Sequence, residues 1–81
     1  MNVQSQVTAQ FTEVAREQGK RLAPLNDNLE LLDSGLDSLC FAIIVARLES
    51  LFGVDPFLDS EDVLFPVTFG EFVKLYENAA N

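Results

Sequence analysis

The 81-residue chain contains no histidine and no tryptophan, and Cys40 is its single cysteine. Without histidine, the chain cannot form the Ser-His or Cys-His pairs that activate a catalytic nucleophile. One cysteine cannot close an internal disulfide, and with no histidine present a transition-metal site is not expected. We therefore expect a protein that is not an enzyme and that holds no metal.

Basic residues are also scarce. Five Lys and Arg stand against 13 Asp and Glu, which gives a net charge of -8 at pH 7. Between Leu22 and Val73 the one basic residue is Arg47. Contacts to nucleic-acid phosphates need clustered Lys and Arg, so a nucleic-acid partner is excluded. The acidic surface instead favours partners with basic surfaces, unless the charge serves only to keep a small protein in solution.

Long apolar runs are absent as well. The most apolar stretch, Leu39 to Val45, is too short to span a membrane, and no charged-then-apolar leader precedes it. Together with the single cysteine, this predicts a cytoplasmic protein without membrane insertion. The length allows one small domain over residues 1–81, which we expect to be a monomer.

Apolar periodicity predicts helices and no strand. Near the start of the chain, apolar residues recur at spacings of four and three: Val3, Val7, Phe11 and Val14. This stripe predicts a first helix that stops at Gly19. A second helix is predicted from Ser38 to about Phe52, ending at Gly53. The segment from Gly19 to Asp37 is predicted to be a long loop.

Leucines should anchor much of this loop to the helices, with a short turn near Asn28 to Leu32. The candidates are Leu22, Leu25, Leu29, Leu31 and Leu32. A short helix is predicted at Ser60 to Phe65, stopped by Pro66. A C-terminal helix should begin at Thr68, because Thr68-Phe69-Gly70-Glu71 has the pattern of a capping box.

The second helix has two distinguishable faces at about 100° per residue. One broad apolar face should form the core: Phe41, Ile44, Val45, Leu48, Leu51 and Phe52. Leu39, Ile43 and Ala46 fall nearly opposite, beside Arg47, and we expect them to be wholly or partly exposed. Exposed apolar groups here would form a partner face. The alternative is that these side chains pack under the long loop or the short helix. For Leu39, packing and exposure are equally consistent with the sequence.

The segment Asp33-Ser34-Gly35-Leu36-Asp37-Ser38-Leu39 precedes this helix directly. Asp37 is suited to cap the helix with its carboxylate, which leaves Ser38 in the first turn with an exposed hydroxyl. A phosphate attached to Ser38 would be stabilised by free backbone N–H groups and by the helix dipole. Ser34 lies outside the helix and should support the turn through Gly35 or Leu36 backbone groups. Cys40 has no activating neighbour in sequence and should be unreactive.

Gly35-Leu36-Asp37-Ser38-Leu39 resembles the G-x-D-S-L signature of acyl and peptidyl carrier proteins. The resemblance extends over most of the chain, because the predicted order of helices and of the long loop is also that of the family. It implies an all-α four-helix bundle with a long first loop and a short third helix.

The resemblance also implies a function. A phosphopantetheinyl transferase would move 4′-phosphopantetheine from coenzyme A onto Ser38, and Asp37 belongs to the same motif. The thiol of this arm would hold an acyl or aminoacyl group as a thioester. Loading and transfer enzymes would be the other partners.

The second helix differs from that of the common carriers of fatty acid biosynthesis, which usually have acidic residues just after the serine. Here no acid lies between Cys40 and Arg47. This predicts a specialised carrier in lipid or secondary metabolism, with its own enzymes. The alternative is a small acidic helical interaction or inhibitor protein without a prosthetic group, which would share the size and acidity but would not need an exposed serine.

Overall fold

Three α-helices joined by loops make up the part of the chain that the computed structural model describes, residues 2–57 and 65–80. They are α1 (Val3–Glu17), α2 (Ser38–Phe52) and α3 (Phe69–Ala80), with a single 3₁₀ turn at Leu31–Asp33. The described residues are all-helical, and three of the helices predicted from sequence are confirmed. The short helix predicted for Ser60 to Phe65 lies outside the described residues, except for Phe65, so the four-helix bundle stays a prediction.

The α1 helix ends in a turn that its sequence specifies. Gly19 has a φ of 67°, a left-handed conformation that glycine adopts without steric cost. The Gly19 N–H donates to the Arg16 carbonyl at 3.3 Å, and the Lys20 N–H donates to the Ala15 carbonyl at 2.8 Å. These two bonds form a Schellman motif. The motif fixes the backbone of Lys20 directly after the helix.

The loop between α1 and α2 is anchored by most of the expected leucines. Leu31 is buried, and three others are partly buried against the core: Leu22, Leu25 and Leu29. The expectation that several of the leucines anchor the loop is confirmed, and Leu32, which is 95% exposed, is the exception. The 3₁₀ turn at Leu31–Asp33 explains the difference, because neighbouring residues of a tight turn point in different directions and only Leu31 meets the core.

The loop also pairs with the start of α3 through main-chain groups. The Asp27 carbonyl accepts from the Gly70 N–H at 3.1 Å, and the Leu29 carbonyl accepts from the Phe69 N–H at 2.8 Å. Glu30 and Thr68 form an isolated antiparallel bridge. The loop thus occupies N–H groups that the first turn of a helix leaves free.

The predicted capping box at the start of α3 is confirmed. The Thr68 N–H donates to Glu71 Oε1 at 3.0 Å, and the Glu71 N–H donates to Thr68 Oγ1 at 3.2 Å. The Thr68 and Val67 N–H groups also hold the pKa of Glu71 below its usual value. Thr68 and Glu71 therefore each accept a hydrogen bond from the main-chain N–H group of the other.

Both α2 and α3 pack on α1, which makes α1 the central helix of the described bundle. The Phe11 ring lies edge-on to Phe69 and Phe72, with centroids 5.1 and 5.3 Å apart, and to Phe41 at 6.1 Å. Such edge-to-face contacts are the favoured geometry for aromatic rings. They fill the centre of the helical core.

The buried strip of α2 differs from the predicted one. Its fully buried residues are Cys40, Ile44 and Leu48, spaced four apart. Leu51, expected in the core, is 48% exposed, so that expectation is wrong, and Phe41 is only partly buried. The strip is the line along which α2 joins the core cluster. Sequence cannot place that line in a helix that is apolar on nearly every side.

Candidate functional site

Asp37 and Ser38 form the start of α2 in the way the sequence predicts. Asp37 is the N-cap in extended conformation, and its Oδ1 accepts from the Cys40 N–H at 3.0 Å. Ser38 is the first residue of the helix and is exposed. Its hydroxyl has no hydrogen-bond partner among residues 2–57 and 65–80. The hydroxyl is thus free to react with a group brought from outside.

The Asp37 carboxylate is stabilised in its charged form. The hydrogen bond from the Cys40 N–H, with a further contribution from Lys20, lowers the pKa of Asp37 to about 2. Lys20 Nζ lies 3.2 Å from Asp37 Oδ2. An acid with so low a pKa is a poor proton acceptor at neutral pH. Asp37 therefore caps the helix and is not suited to act as a base for the neighbouring Ser38 hydroxyl.

The turn before Asp37 is held by Ser34. This side chain is fully buried, and its Oγ donates to the Leu31 carbonyl at 2.6 Å and accepts from the Leu36 N–H at 3.3 Å. The prediction that Ser34 supports the turn is confirmed. Gly35 has a φ of 94°, and a Cβ at this position would overlap the Arg21 carbonyl oxygen. The turn thus depends on Ser34 for its hydrogen bonds and on Gly35 for the absence of a side chain.

A cleft of about 470 Å³ lies directly beside Ser38, and we call it the Ser38 cleft. The loop and the start of α2 line one side of it: Glu30, Leu31, Leu32, Leu36, Asp37, Ser38 and Phe41. Among the described residues, the other side is formed by Phe65, Pro66 and Val67. Apart from Ser38 and two carboxylates, every lining side chain in the described part of the chain is apolar. A small-molecule site typically has this size and this kind of lining.

Nothing in the sequence indicates this cleft directly. Its two sides meet where the Leu31 N–H donates to the Val67 carbonyl at 2.8 Å, and these two residues are 36 positions apart in the chain. The one available signal was the unusual number of leucines in the loop. Distinguishing Leu32, which is exposed, from Leu31, which is buried, requires the structure.

The residues predicted as a partner face lie on α2 but differ in how far they are exposed. Leu39 is 59% exposed and Ala46 is exposed, whereas Ile43 is half-buried and packs against the core. Arg47 makes a two-pronged ion pair with Glu17 of α1, with Nη1 3.1 Å from Oε2. This pair raises the pKa of Arg47 and lowers that of Glu17. The positive charge of Arg47 is therefore compensated within the chain.

Cys40 lies inside the bundle, two residues from Ser38. It is fully buried, and desolvation raises the pKa of its thiol. Because the thiolate is the reactive form of cysteine, both features oppose reaction at this sulfur. Of these two side chains, only that of Ser38 is exposed to solvent.

The chain matches no family model, and no similar chain is found among curated proteins or among solved structures. None of the helices in residues 2–57 and 65–80 is long and apolar enough to cross a membrane. In the same residues, no group of three or more Cys, Asp or Glu is placed to hold a metal ion.

Proposed function

We propose that the protein is an acyl carrier that bears 4′-phosphopantetheine on Ser38. The observation that carries the proposal is the exposed, unpaired hydroxyl of Ser38 at the first position of α2, directly after the capping Asp37. Free backbone N–H groups of the first turn favour a phosphate at this position. The motif Gly35-Leu36-Asp37-Ser38-Leu39 and the order of the helices support the same function.

The attachment reaction uses Ser38 as substrate and needs a transferase. Ser38 Oγ forms a bond to the β-phosphorus of coenzyme A while the phosphoanhydride bond breaks and adenosine 3′,5′-bisphosphate leaves. The hydroxyl proton passes to a base of the transferase, because Asp37 is too weak a base to take it. Once attached, the arm supplies a thiol that holds an acyl or aminoacyl group as a thioester.

The surface of α2 supports a specialised carrier. Leu39 and Ala46 are exposed, and the positive charge of Arg47 is balanced by the negative charge of Glu17. This face therefore offers a partner apolar contacts with little net charge. Partner enzymes that recognise an acidic second helix would find few of their contacts here. We infer that the loading and transfer enzymes of this protein bind α2 largely through apolar groups.

The test is the intact mass after incubation with coenzyme A, magnesium and a broad-specificity phosphopantetheinyl transferase. The wild-type protein should gain the mass of one phosphopantetheinyl group, and Ser38→Ala should gain none. Ser50→Ala is the matched control, because Ser50 is also exposed on α2 and should not affect modification.

A folded wild-type protein that gains no mass would contradict the carrier function, as would equal modification of Ser38→Ala. The first result would favour the other candidate, a small acidic interaction or inhibitor protein without a prosthetic group. The apolar groups exposed around Ser38 would then serve as its binding surface.

A further inference from the structure

The surroundings of Ser38 are poor in positive charge. Glu30 and Asp37 line the cleft beside it, and no Lys or Arg of the described residues does so. Between residues 22 and 73 the one basic residue is Arg47, which is engaged in an ion pair with α1. A phosphate attached to Ser38 would therefore lie next to the ionised carboxylate of Asp37. Because like charges this close repel each other, a nearby cation would lower the cost of placing both there.

Lys20 supplies such a cation. Its Nζ lies 3.2 Å from Asp37 Oδ2, whereas Oδ1 of the same carboxylate accepts from the Cys40 N–H. The ion pair therefore leaves the helix cap intact and places an ammonium beside the residue that precedes Ser38. An ammonium has three N–H donors, and Asp37 is the only acidic partner of Lys20 within residues 2–57 and 65–80. The Lys20 side chain is 38% exposed, so its remaining donors are accessible to a second anion.

We propose that Lys20 binds the phosphate of the arm on Ser38 while it still faces Asp37, and that it thereby anchors the arm at its attachment point. The proposal rests on the carrier function above and adds to it a binding partner for the arm. Lysine binds phosphate as a point charge on a flexible stem, so it can serve two neighbouring anions at once. The Schellman turn at Gly19 fixes the backbone of Lys20, which holds the ammonium near Ser38 before the arm is attached.

A purely structural role for the ion pair would have a different signature. The pair joins the end of α1 to the start of α2 in the unmodified protein, so a structural contribution is the same before and after attachment of the arm. Binding of the phosphate adds a contribution in the modified protein alone. The change in melting temperature on attachment separates the two roles, because the structural part cancels in the difference.

The experiment measures the melting temperature of each variant before and after attachment of phosphopantetheine, with complete modification established by intact mass. The change on attachment should be more negative in Lys20→Gln than in wild type by roughly 2–5 °C, the shift that a weak charge interaction produces in a domain of this size. Lys20→Arg keeps the charge and should behave as wild type. In 1 M salt, the difference between wild type and Lys20→Gln should largely disappear, because salt screens exposed charges.

Two control variants separate the contact from the overall charge. Lys74→Gln makes the same substitution at an exposed lysine of α3 that does not line the cleft. Arg21→Gln removes a charge next to Lys20 in sequence, from an exposed side chain that forms no ion pair within the described residues. Both variants should show the same change on attachment as the wild-type protein.

A second measurement needs no variant, so it decides the question even where Lys20→Gln is modified incompletely. The chain has two lysines, Lys20 and Lys74, and lysine-selective NMR reports on each ammonium separately. Attachment of the arm to the wild-type protein should move the Nζ signal of Lys20 and leave that of Lys74 in place.

Three results would overturn the inference while leaving the carrier function intact. The first is complete modification with an equal change in melting temperature for wild type and Lys20→Gln. The second is an effect of Arg21→Gln as large as that of Lys20→Gln, which would show a general field instead of a contact. The third is a Lys20 signal that does not move on attachment. Failure of the folded wild-type protein to accept the arm contradicts the carrier function, and the inference falls with it.

Discussion

Lys20 and Asp37 form an ion pair that joins the end of α1 to the start of α2, with Nζ 3.2 Å from Oδ2. Lys20 owes its position to the Schellman turn at Gly19, and Asp37 owes its position to the cap it makes with Cys40. The pair is exposed on both sides, so its direct contribution to stability should be small. The pair places the positive charge of Lys20 beside Asp37, the residue directly before Ser38.

The low pKa of Asp37 leads to a prediction about stability at acid pH. A group whose pKa is lower in the folded state stabilises that state above its unfolded pKa, and this contribution is lost as the pH falls through the folded value. The relevant window for Asp37 runs from the usual value of 3.8 down to about 2. The difference in melting temperature between wild type and Asp37→Asn should therefore be largest at neutral pH and shrink within this window.

Thermal unfolding followed by circular dichroism across this pH range checks the prediction. Asp33→Asn is the control, because Asp33 is an exposed carboxylate of the same loop that caps no helix. A difference that stays constant down to the lower end of the window would show that the Asp37 charge does not stabilise the fold.

Ser34 and Ser38 should have opposite roles although they are four residues apart. Ser34→Ala leaves the buried Leu36 N–H without its partner and should lower the free energy of unfolding by about 1–3 kcal/mol. Ser38→Ala removes an exposed hydroxyl and should leave stability unchanged while abolishing modification. Urea unfolding of both variants measures the contrast. Equal stabilities would mean that Ser34 does not hold the turn.

Gly35 should tolerate substitution less well than Gly53. Both have positive φ, 94° and 71°, so alanine is strained at either position by about 1 kcal/mol. Only at Gly35 would the new Cβ also overlap a main-chain atom, the Arg21 carbonyl oxygen, whereas nothing lies within 4 Å at Gly53. Gly35→Ala should therefore show the larger drop in melting temperature and a lower rate of Ser38 modification. If Gly53→Ala proved equally harmful, the close packing of the loop on Gly35 would be disproved.

The partner face is best tested at Leu39. Leu39→Glu places a charge on an exposed side chain next to Ser38 and should lower the kcat/KM of the transferase with little change in melting temperature. Leu51→Glu makes the same change on an exposed residue near the other end of α2 and should leave the reaction unaffected. Ile43 is less suitable, because it is half-buried against the core and a glutamate there would also destabilise the fold. Similar rates for both leucine variants would exclude a role of Leu39 in recognition.

Local patterns in the sequence were sufficient to predict most of the described helices. The capping box at Thr68 and the cap at Asp37 depend on residues three positions apart, and both are found. The role of Ser34 could be predicted for the same reason. Features that depend on residues distant in sequence could not be predicted. These are the ion pair of Arg47 with Glu17, the exposure of Leu51, and the line along which α2 packs on the rest of the bundle. The position of the Ser38 cleft depends on the pairing of Leu31 with Val67, which no periodicity within either segment reveals.

That pairing has a consequence for how the site could change during evolution. The two sides of the Ser38 cleft are joined by a main-chain hydrogen bond between Leu31 and Val67 and by the adjacent bridge between Glu30 and Thr68. The width of the opening is thus set by the backbone, while the chemistry of its surface is set by exposed side chains such as that of Leu32. Substitutions at those exposed positions would change what the cleft presents to solvent while its width, and the fold that maintains it, stayed the same.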